Sequence, residues 1–140
     1  MSHPVRDARQ RIQNEHAAVL RAIDACADAI AGCWDGDRTT RREEVVDPLR
    51  TALESAGVLE DLSSVLASAV EATGHDLSAP PVAAPPYVVV TSCGPILRAT
   101  IGSGRLVIRF DVFEIVPGTN VGEPTTYRRR DGVRVTVSLE

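Results

Sequence analysis

Cysteine and histidine are the side chains of this chain best suited to chemistry, and each occurs three times. Cys93 is the strongest candidate for a reactive thiol, because it is predicted to end a strand just before Gly94-Pro95, where a turn could expose it. A cysteine nucleophile needs a neighbouring base, and His75 is the histidine whose position along the chain best suits that role. No known signature surrounds Cys93, so we expect a half-buried thiol in a tight turn. A thiol-dependent enzyme at Cys93 is therefore the least favoured function.

The other candidate ligands predict neither a metal nor a cofactor. Cys26 and Cys33 are seven residues apart, a rise of about 10.5 Å along a helix, which exceeds the roughly 7 Å between the α-carbons of a disulfide and is too wide for one zinc ion. His16 falls on an apolar helical stripe, where a packed histidine is commoner than a ligand. The "GSG" at residues 102–104 lies in a predicted hairpin and does not open a helix, so it is no phosphate loop. We assign no catalytic residue and favour a protein that is not an enzyme.

Arginines of the C-terminal part form the remaining candidate site. They are predicted to share one exposed face of a sheet, or its edge, where they could meet phosphates or a strongly acidic protein surface. Apolar side chains are predicted on the same face, and an apolar patch rimmed by arginines is typical of an interaction surface. The predicted partner-binding residues are Arg98, Arg105, Val107, Arg109, Phe113, Arg128, Arg130 and Arg134.

One long helix is predicted over residues 5–33. An apolar residue recurs there every seven positions, which is a helical stripe with close to heptad spacing. Pro4 suits the first helical turn and Gly32 suits the end. A straight helix of this length would measure about 43 Å. Its stripe could pair with another helix, although packing within the same chain is the favoured interpretation.

One or two further helices are predicted before Gly74. Asp47-Pro48 reads either as an N-cap with proline at the first helical position or as a kink inside a longer helix. Gly57 is predicted either to end a helix or to weaken it. Residues 1–74 are thus expected to form a helical hairpin or a three-helix layer.

The apolar period changes to two after a proline-rich crossing at residues 75–86. The run "YVVVTSC" indicates a buried central strand. A two-residue turn at Gly102-Ser103 sets Ile101 opposite Gly104, so that the apolar residues of both strands share one face.

A last hairpin is predicted around Arg130-Asp131-Gly132, with Tyr127 opposite Val135. Residues 87–140 are then an antiparallel meander of four to five strands. Helices followed by antiparallel strands predict an α+β fold, with the helical layer covering one face of the sheet. We expect residues 1–140 to form a single domain.

Composition suggests the setting. All 15 basic residues are arginine, and the net charge is −4. This lysine-free, Ala- and Val-rich texture, with segments such as "ACADAIAGCWDGD", resembles that of small uncharacterised proteins of halophilic archaea. The resemblance is compositional and implies no functional residue. Because no apolar run approaches about 18 residues and no secretory segment is evident, we expect a cytoplasmic protein without membrane association.

Charge is distributed unevenly along the chain. Residues 1–86 hold eight arginines and 14 acidic residues, a net charge of −6, whereas residues 87–140 hold seven arginines and five acidic residues, a net charge of +2. The favoured function is a non-catalytic protein-interaction or assembly module that binds a protein partner, or itself, through the arginine-bearing sheet face or the first helix. The alternative is a nucleic-acid-binding protein that uses the same face and the 128–134 hairpin, against which stand a pI near 5.4 and few stacking aromatics.

Overall fold

A computed structural model of the chain describes residues 3–102 and 104–140. Within these residues it contains four α-helices, one short 3-10 helix at Arg42–Glu44 and five strands. The helices are α1 (Pro4–Glu15), α2 (Ala17–Ala31), α3 (Val46–Ser55) and α4 (Val58–Ala72). The strands are β1 (Arg38–Thr39), β2 (Val88–Val90), β3 (Pro95–Ile101), β4 (Gly104–Val116) and β5 (Thr126–Leu139). The predicted α+β fold is confirmed.

The single long first helix was a wrong prediction, because the chain leaves helical geometry at His16. This residue has φ −123° and ψ 27°, and it ends α1 and precedes α2. Helix α1 packs mainly against α4, whereas α2 contacts both α3 and α4, and both helices contact β5. Ile12 and Ile23, one from each of these two helices, are fully buried. The stripe therefore packs within the chain, as favoured.

Asp47-Pro48 lies in the first turn of α3, so it begins a helix and does not bend one. The helix starts at Val46, one residue before the predicted cap, and the N-cap is Val45. Proline fits there because the first N–H groups of a helix have no partner within the helix. Gly57, with φ 75°, separates α3 from α4 and is the predicted stop.

The sheet is antiparallel with strand order β1-β5-β4-β3-β2. Strands β2 to β5 form the predicted meander, and β1 joins from the helical part at the edge beside β5. Residues 75–86, all described, cross from α4 to β2 without forming a helix or strand. The predicted position of "YVVVTSC" at the centre of the sheet was wrong, because β2 is an edge strand. Val88 and Val90 are buried because helices α3 and α4 contact this strand. An apolar run alone does not distinguish a central strand from an edge strand that helices cover.

The first hairpin has the predicted register, with Ile101 opposite Gly104 and Leu97 opposite Ile108. Ser103, the second residue of the predicted turn, lies outside the described residues. The inner face of the sheet carries apolar residues of β3 and β4 that are 4% exposed or less and join the helices in one core cluster. These residues are Leu97, Ala99, Ile101, Leu106, Ile108 and Phe110.

The predicted last hairpin does not exist, because β5 runs through Arg130-Asp131-Gly132 as one strand. Asp111 opposes Arg134 and Phe113 opposes Arg129, so residues 130–133 stand across from Val112 alone. This bulge is larger than the usual two residues against one, and Gly132 adopts φ 80° within it. The Asp-Gly pair does provide a positive φ, but in a bulge and not in a turn. Tyr127 consequently faces Ile115 and not Val135.

A second bulge lies on β4 at Val112 and Phe113. Both backbone N–H groups donate to the carbonyl oxygen of Cys93, at 2.8 and 3.0 Å. Two adjacent donors on one acceptor shift the alternation of side chains by one residue, so Phe113 joins Val112 on the helical side. Phe113 is 1% exposed, and its ring centroid lies 5.3 Å from that of Trp34. The predicted place of Phe113 on the outer face was therefore wrong.

Across the described residues, no helix has both the length and the apolar character that a membrane span requires.

Candidate binding face of the sheet

The face of the sheet turned away from the helices carries the predicted arginines of the first hairpin. Arg98 lies on β3, and Arg105, Val107 and Arg109 follow one another on every second position of β4. Their neighbours in sequence form the buried inner row, so strict alternation turns these four side chains outward. The predicted outer placement of this group is confirmed.

Val107 is the centre of this face. It stands opposite Arg98 on β3 and opposite Ser138 on β5. Arg105 and Arg109 lie two residues to either side of it on the same strand. Val107 is only 7% exposed although it lies on the face turned away from the helices, and its neighbours there include arginines, whose long side chains can cover apolar surface.

A groove of about 430 Å³ follows this centre across three strands. We name it the outer groove. It combines guanidinium and hydroxyl donors around an apolar floor, with one acidic residue, Glu140, at the end beside Arg105. The three arginines make the outer groove suited to anionic partners. Its lining residues are Ile96, Arg98, Arg105, Val107, Arg109, Thr136, Ser138 and Glu140.

The arginines of the outer groove have no ion-pair partner. Among residues 3–102 and 104–140, no carboxylate lies within 4 Å of Arg98, Arg105 or Arg109. Arg134 stands opposite Asp111 in the sheet register but is likewise without an ion pair in this part of the chain. Like charges on neighbouring strands repel one another, so the group is suited to receive negative charge from outside.

Arg128 and Arg130 differ from the groove arginines because both contact Glu114. The Nε atom of Arg128 donates to Glu114 Oε1 at 2.7 Å, and Arg130 Nη1 lies 3.7 Å from Glu114 Oε2. They lie along a continuous strand and do not form the tip of a hairpin. The predicted 128–134 hairpin is thus replaced by a bulged strand whose arginines are partly neutralised.

Arg129 is the residue that the sequence reasoning missed. Its side chain is 14% exposed and lies on the helical side of the sheet. Nε donates to Asp28 at 3.1 Å, and Nη2 contacts the Asp24 carboxylate. Alternation in "TYRRR" could have indicated this placement, since Arg129 shares a face with the half-buried Tyr127.

The guanidinium of Arg129 also occupies the bulge of β5 at residues 130–133. Its Nη1 atom donates to three backbone carbonyls, those of Val112, Arg130 and Gly132, at 3.0, 2.7 and 3.1 Å. These three residues have no partner in the β4–β5 register, because the bulge interrupts the pairing of the two strands there. One arginine therefore closes the bulge and ties helix α2 to it.

Cys93 has the half-buried environment that the sequence predicts. Burial raises the pKa of its thiol above the ordinary value, and the charge of Asp111 raises it further, while Arg109 and Arg130 act in the opposite direction. A raised pKa reduces the thiolate fraction on which nucleophilic reactivity depends.

His75 is not placed to act as a base for Cys93. Its ring packs against Gly102, with Cε1 3.0 Å from the position of an added Cβ. Gly102 and Cys93 flank opposite ends of β3, a separation of roughly 20 Å for a strand of this length. The arrangement gives no support to a thiol-dependent enzyme.

Gly94 explains the tight turn after Cys93. Its φ is 147°, and an added Cβ would lie 1.9 Å from the carbonyl oxygen of Phe110. Only glycine lets the chain approach β4 this closely. The glycine thereby holds the Cys93 carbonyl against the β4 bulge.

The remaining candidate ligands do not converge. Cys26 is buried and its pKa is raised by desolvation, whereas Cys33 is exposed. No cluster of three or more metal-ligating side chains occurs within the described ranges. His16 lies between α1 and α2 with its Nε2 atom buried and without a hydrogen-bond partner among those residues.

A protein-family model described as "Domain of unknown function (DUF7988)" matches residues 6–140. No curated protein and no solved structure matches the chain.

Proposed function

The chain belongs to the DUF7988 family, a domain of unknown function, and we propose that it is a non-catalytic interaction module that binds an acidic protein partner through the outer groove. The single observation behind this proposal is the cluster of Arg98, Arg105 and Arg109, which surrounds Val107 without any carboxylate partner among the described residues. A partner with clustered carboxylates would supply the missing charge.

Several arginines elsewhere in the chain have an internal acidic partner, although exposed Arg21 of α2 has none among the described residues. Arg11, Arg128 and Arg129 each lie beside an acidic residue. The acidic residues that pair with these arginines lie elsewhere, and no acidic residue of the described chain lies beside Val107 at the centre of the outer groove. Arginine forms bidentate bonds with carboxylates, so short-range pairing would persist in salt that screens longer-range attraction.

A protein partner fits the groove better than a nucleic acid does. Base stacking needs exposed aromatic rings, but Phe113 is buried and Tyr127 packs against the core. The pI near 5.4 also opposes binding to a polyanion as long as DNA. A nucleic-acid-binding protein is the alternative that the experiment below is designed to detect.

The sheet face is a better interaction surface than the helices. The apolar residues of α1 and α2 pack on α3, α4 and β5, which leaves the heptad stripe little free apolar surface. Phe113 is excluded from the proposed surface for the same reason. The proposed contact residues are Arg98, Arg105, Val107 and Arg109, with Arg134 at the rim.

We also propose a cytoplasmic setting in a salt-adapted organism and a single domain over residues 1–140. The lysine-free composition and the net charge of −4 support the first suggestion. One core cluster that includes residues of the helices and of the sheet supports the second.

The test is binding of fluorescent polyglutamate, and of fluorescent duplex DNA, to the purified protein at low and high salt. We expect polyglutamate to bind and the double charge reversal Arg98→Glu/Arg109→Glu to weaken it at least about tenfold. Arg21→Glu is the matched control, since Arg21 is an exposed arginine of α2 without an ion pair within the described part of the chain.

Binding of duplex DNA without polyglutamate would favour the nucleic-acid alternative. Failure of both probes, or equal weakening by Arg21→Glu, would contradict the proposed function.

A further inference from the structure

Strand β3 has an edge that β2 covers only in part. The two strands pair from Val88 opposite Leu97 to Val90 opposite Pro95. One more bond follows, from the N–H of Arg98 to the carbonyl of Tyr87 at 2.9 Å. Beyond this point the last residues of β3 pair only with β4, and no strand of the described residues lies on their other side.

Thr100 presents its backbone to this open edge. Ala99 and Ile101 pair with Leu106 and Gly104 on β4, so alternation directs the N–H and C=O of Thr100 away from β4. No hydrogen-bond partner for either group occurs among residues 3–102 and 104–140. Thr100 is exposed. An edge of this kind is a template for pairing with another chain.

A cavity of about 500 Å³ lies beside the open edge, which falls within the range of about 300–1,000 Å³ usual for ligand sites. Its outer wall is formed by Arg98 and Arg105, which also line the outer groove. Leu77 and Ala99 supply apolar surface, and Asp76 adds one negative charge. The outer groove and this cavity therefore meet at two arginines that lack ion pairs within the described ranges.

We propose that the partner of the outer groove binds as an extended acidic segment that adds to the free edge of β3 at Thr100. This inference rests on the proposed function and deepens it. Hydrogen bonds with the N–H and C=O of Thr100 hold the backbone of the segment. Side chains alternate along a strand, so acidic residues at every second position face Arg98 and Arg105 while apolar residues between them face Leu77 and Ala99.

A second copy of β3 is a poorer occupant of this edge. Two copies paired there would place Arg98 and Arg105 of both chains on one continuous sheet and would supply no carboxylate to neutralise them. Charge complementarity therefore selects an acidic segment over self-association at this site.

The experiment uses a fluorescent peptide in which valine and glutamate alternate, measured by anisotropy against the full chain. We expect Thr100→Pro to weaken binding about tenfold, since it removes the edge N–H that the peptide needs as a donor. Thr100→Val keeps that donor and should bind like the wild type. Far-UV circular dichroism checks that both variants fold, and proline is tolerated on edge strands.

A second measurement needs no protein variant. The same peptide with alternate backbone amides methylated cannot complete the strand pairing and should lose binding to the unaltered protein. Equal binding of the methylated and unmethylated peptides, or no binding of either, would overturn the inference.

The two proposals fail in distinguishable ways. If Arg98→Glu abolishes binding while Thr100→Pro and backbone methylation have no effect, the strand-addition inference is wrong and the proposed function stands. If polyglutamate fails to bind in the earlier test, the proposed function itself is wrong.

Discussion

The two faces of the sheet use arginine in opposite ways. On the helical face, Arg129 is 14% exposed and contacts Asp24, Asp28 and three backbone carbonyls. On the outer face, Arg105 and Arg109 are exposed and have no carboxylate partner within the described residues. The number of arginines on a sheet therefore does not identify a binding site. Ion pairs and hydrogen bonds within the chain distinguish an arginine that stabilises the fold from arginines that are available to a partner.

Two bulges generate this difference. The β4 bulge at Val112 and Phe113 shifts the alternation by one residue, and the β5 bulge at residues 130–133 absorbs the mismatch. As a result Phe113 and Arg129, which oppose one another, both turn towards the helices. Residues before the β4 bulge keep the alternation that places the outer groove.

The largest expected effect of breaking the inner face comes from Phe113→Ala. The variant should lose about 3–5 kcal/mol of unfolding free energy, because it removes a fully buried aromatic side chain that packs on Trp34. Urea unfolding followed by circular dichroism measures the change. The control is Ile115→Ala on the same strand, whose side chain is 45% exposed and should cost far less. Equal losses in the two variants would place Phe113 outside the core.

Arg129→Ala should have the next largest effect on the same face. We expect a loss of about 2–4 kcal/mol in unfolding free energy, since three carbonyls lose their donor while Asp24 and Asp28 can still reach water. Arg129→Lys keeps the positive charge but lacks the several N–H donors of a guanidinium group. Its stability should therefore lie between that of the wild type and that of Arg129→Ala. Chemical unfolding measures all three proteins. A stability change below about 0.5 kcal/mol in Arg129→Ala would refute its role in closing the bulge.

Arg109→Ala tests the outer face, where a substitution should reduce binding and leave stability almost unchanged. Its unfolding free energy should change by no more than about 0.5 kcal/mol, because the side chain has no internal ion pair in the described part of the chain. Its affinity for polyglutamate should nevertheless fall several-fold. Thermal unfolding and anisotropy measure the two quantities on one preparation. A large loss of stability with unchanged affinity would reverse the assignment of the two faces.

The smallest effect concerns Cys93, which lies between the two regions. Burial and Asp111 raise the pKa of its thiol, so at neutral pH it should react with iodoacetamide more slowly than the exposed Cys33, and its rate should keep rising as the solution becomes alkaline. Asp111→Asn removes a charge that disfavours the thiolate. This variant should therefore react modestly faster at neutral pH, as measured by mass spectrometry of the alkylated peptides. Reaction of Cys93 at the rate of Cys33 in the wild type would be inconsistent with this environment.

Local alternation was enough to predict the outer groove. Gly102 and the apolar rows of β3 and β4 fix the register, so Arg98, Arg105, Val107 and Arg109 could be placed on one face from the sequence. Helix boundaries at Gly32 and Gly57 were equally predictable, because glycine is a poor helix former, and Gly57 also adopts a φ of 75°.

The failures all depend on contacts between distant residues. The break at His16 leaves the heptad spacing intact on both sides, so the pattern contains no sign of it. The β4 bulge is held by the carbonyl of Cys93, which lies just before the neighbouring strand β3, and no local pattern predicts that acceptor. Phe113 was misplaced because alternation was continued through the β4 bulge. The ion pairs of Arg129 with Asp24 and Asp28 join residues about a hundred positions apart, so no local pattern predicts them.

The binding face can be located by titrating ¹⁵N-labelled protein with polyglutamate and following the backbone amide shifts by NMR. We expect shifts to concentrate in residues 96–100, 105–109 and 136–138, and we expect Arg98→Glu/Arg109→Glu to suppress them while Arg21→Glu does not. Shifts confined to helices α1–α4, or equally strong in the double variant, would contradict the assignment of the outer groove as the binding face.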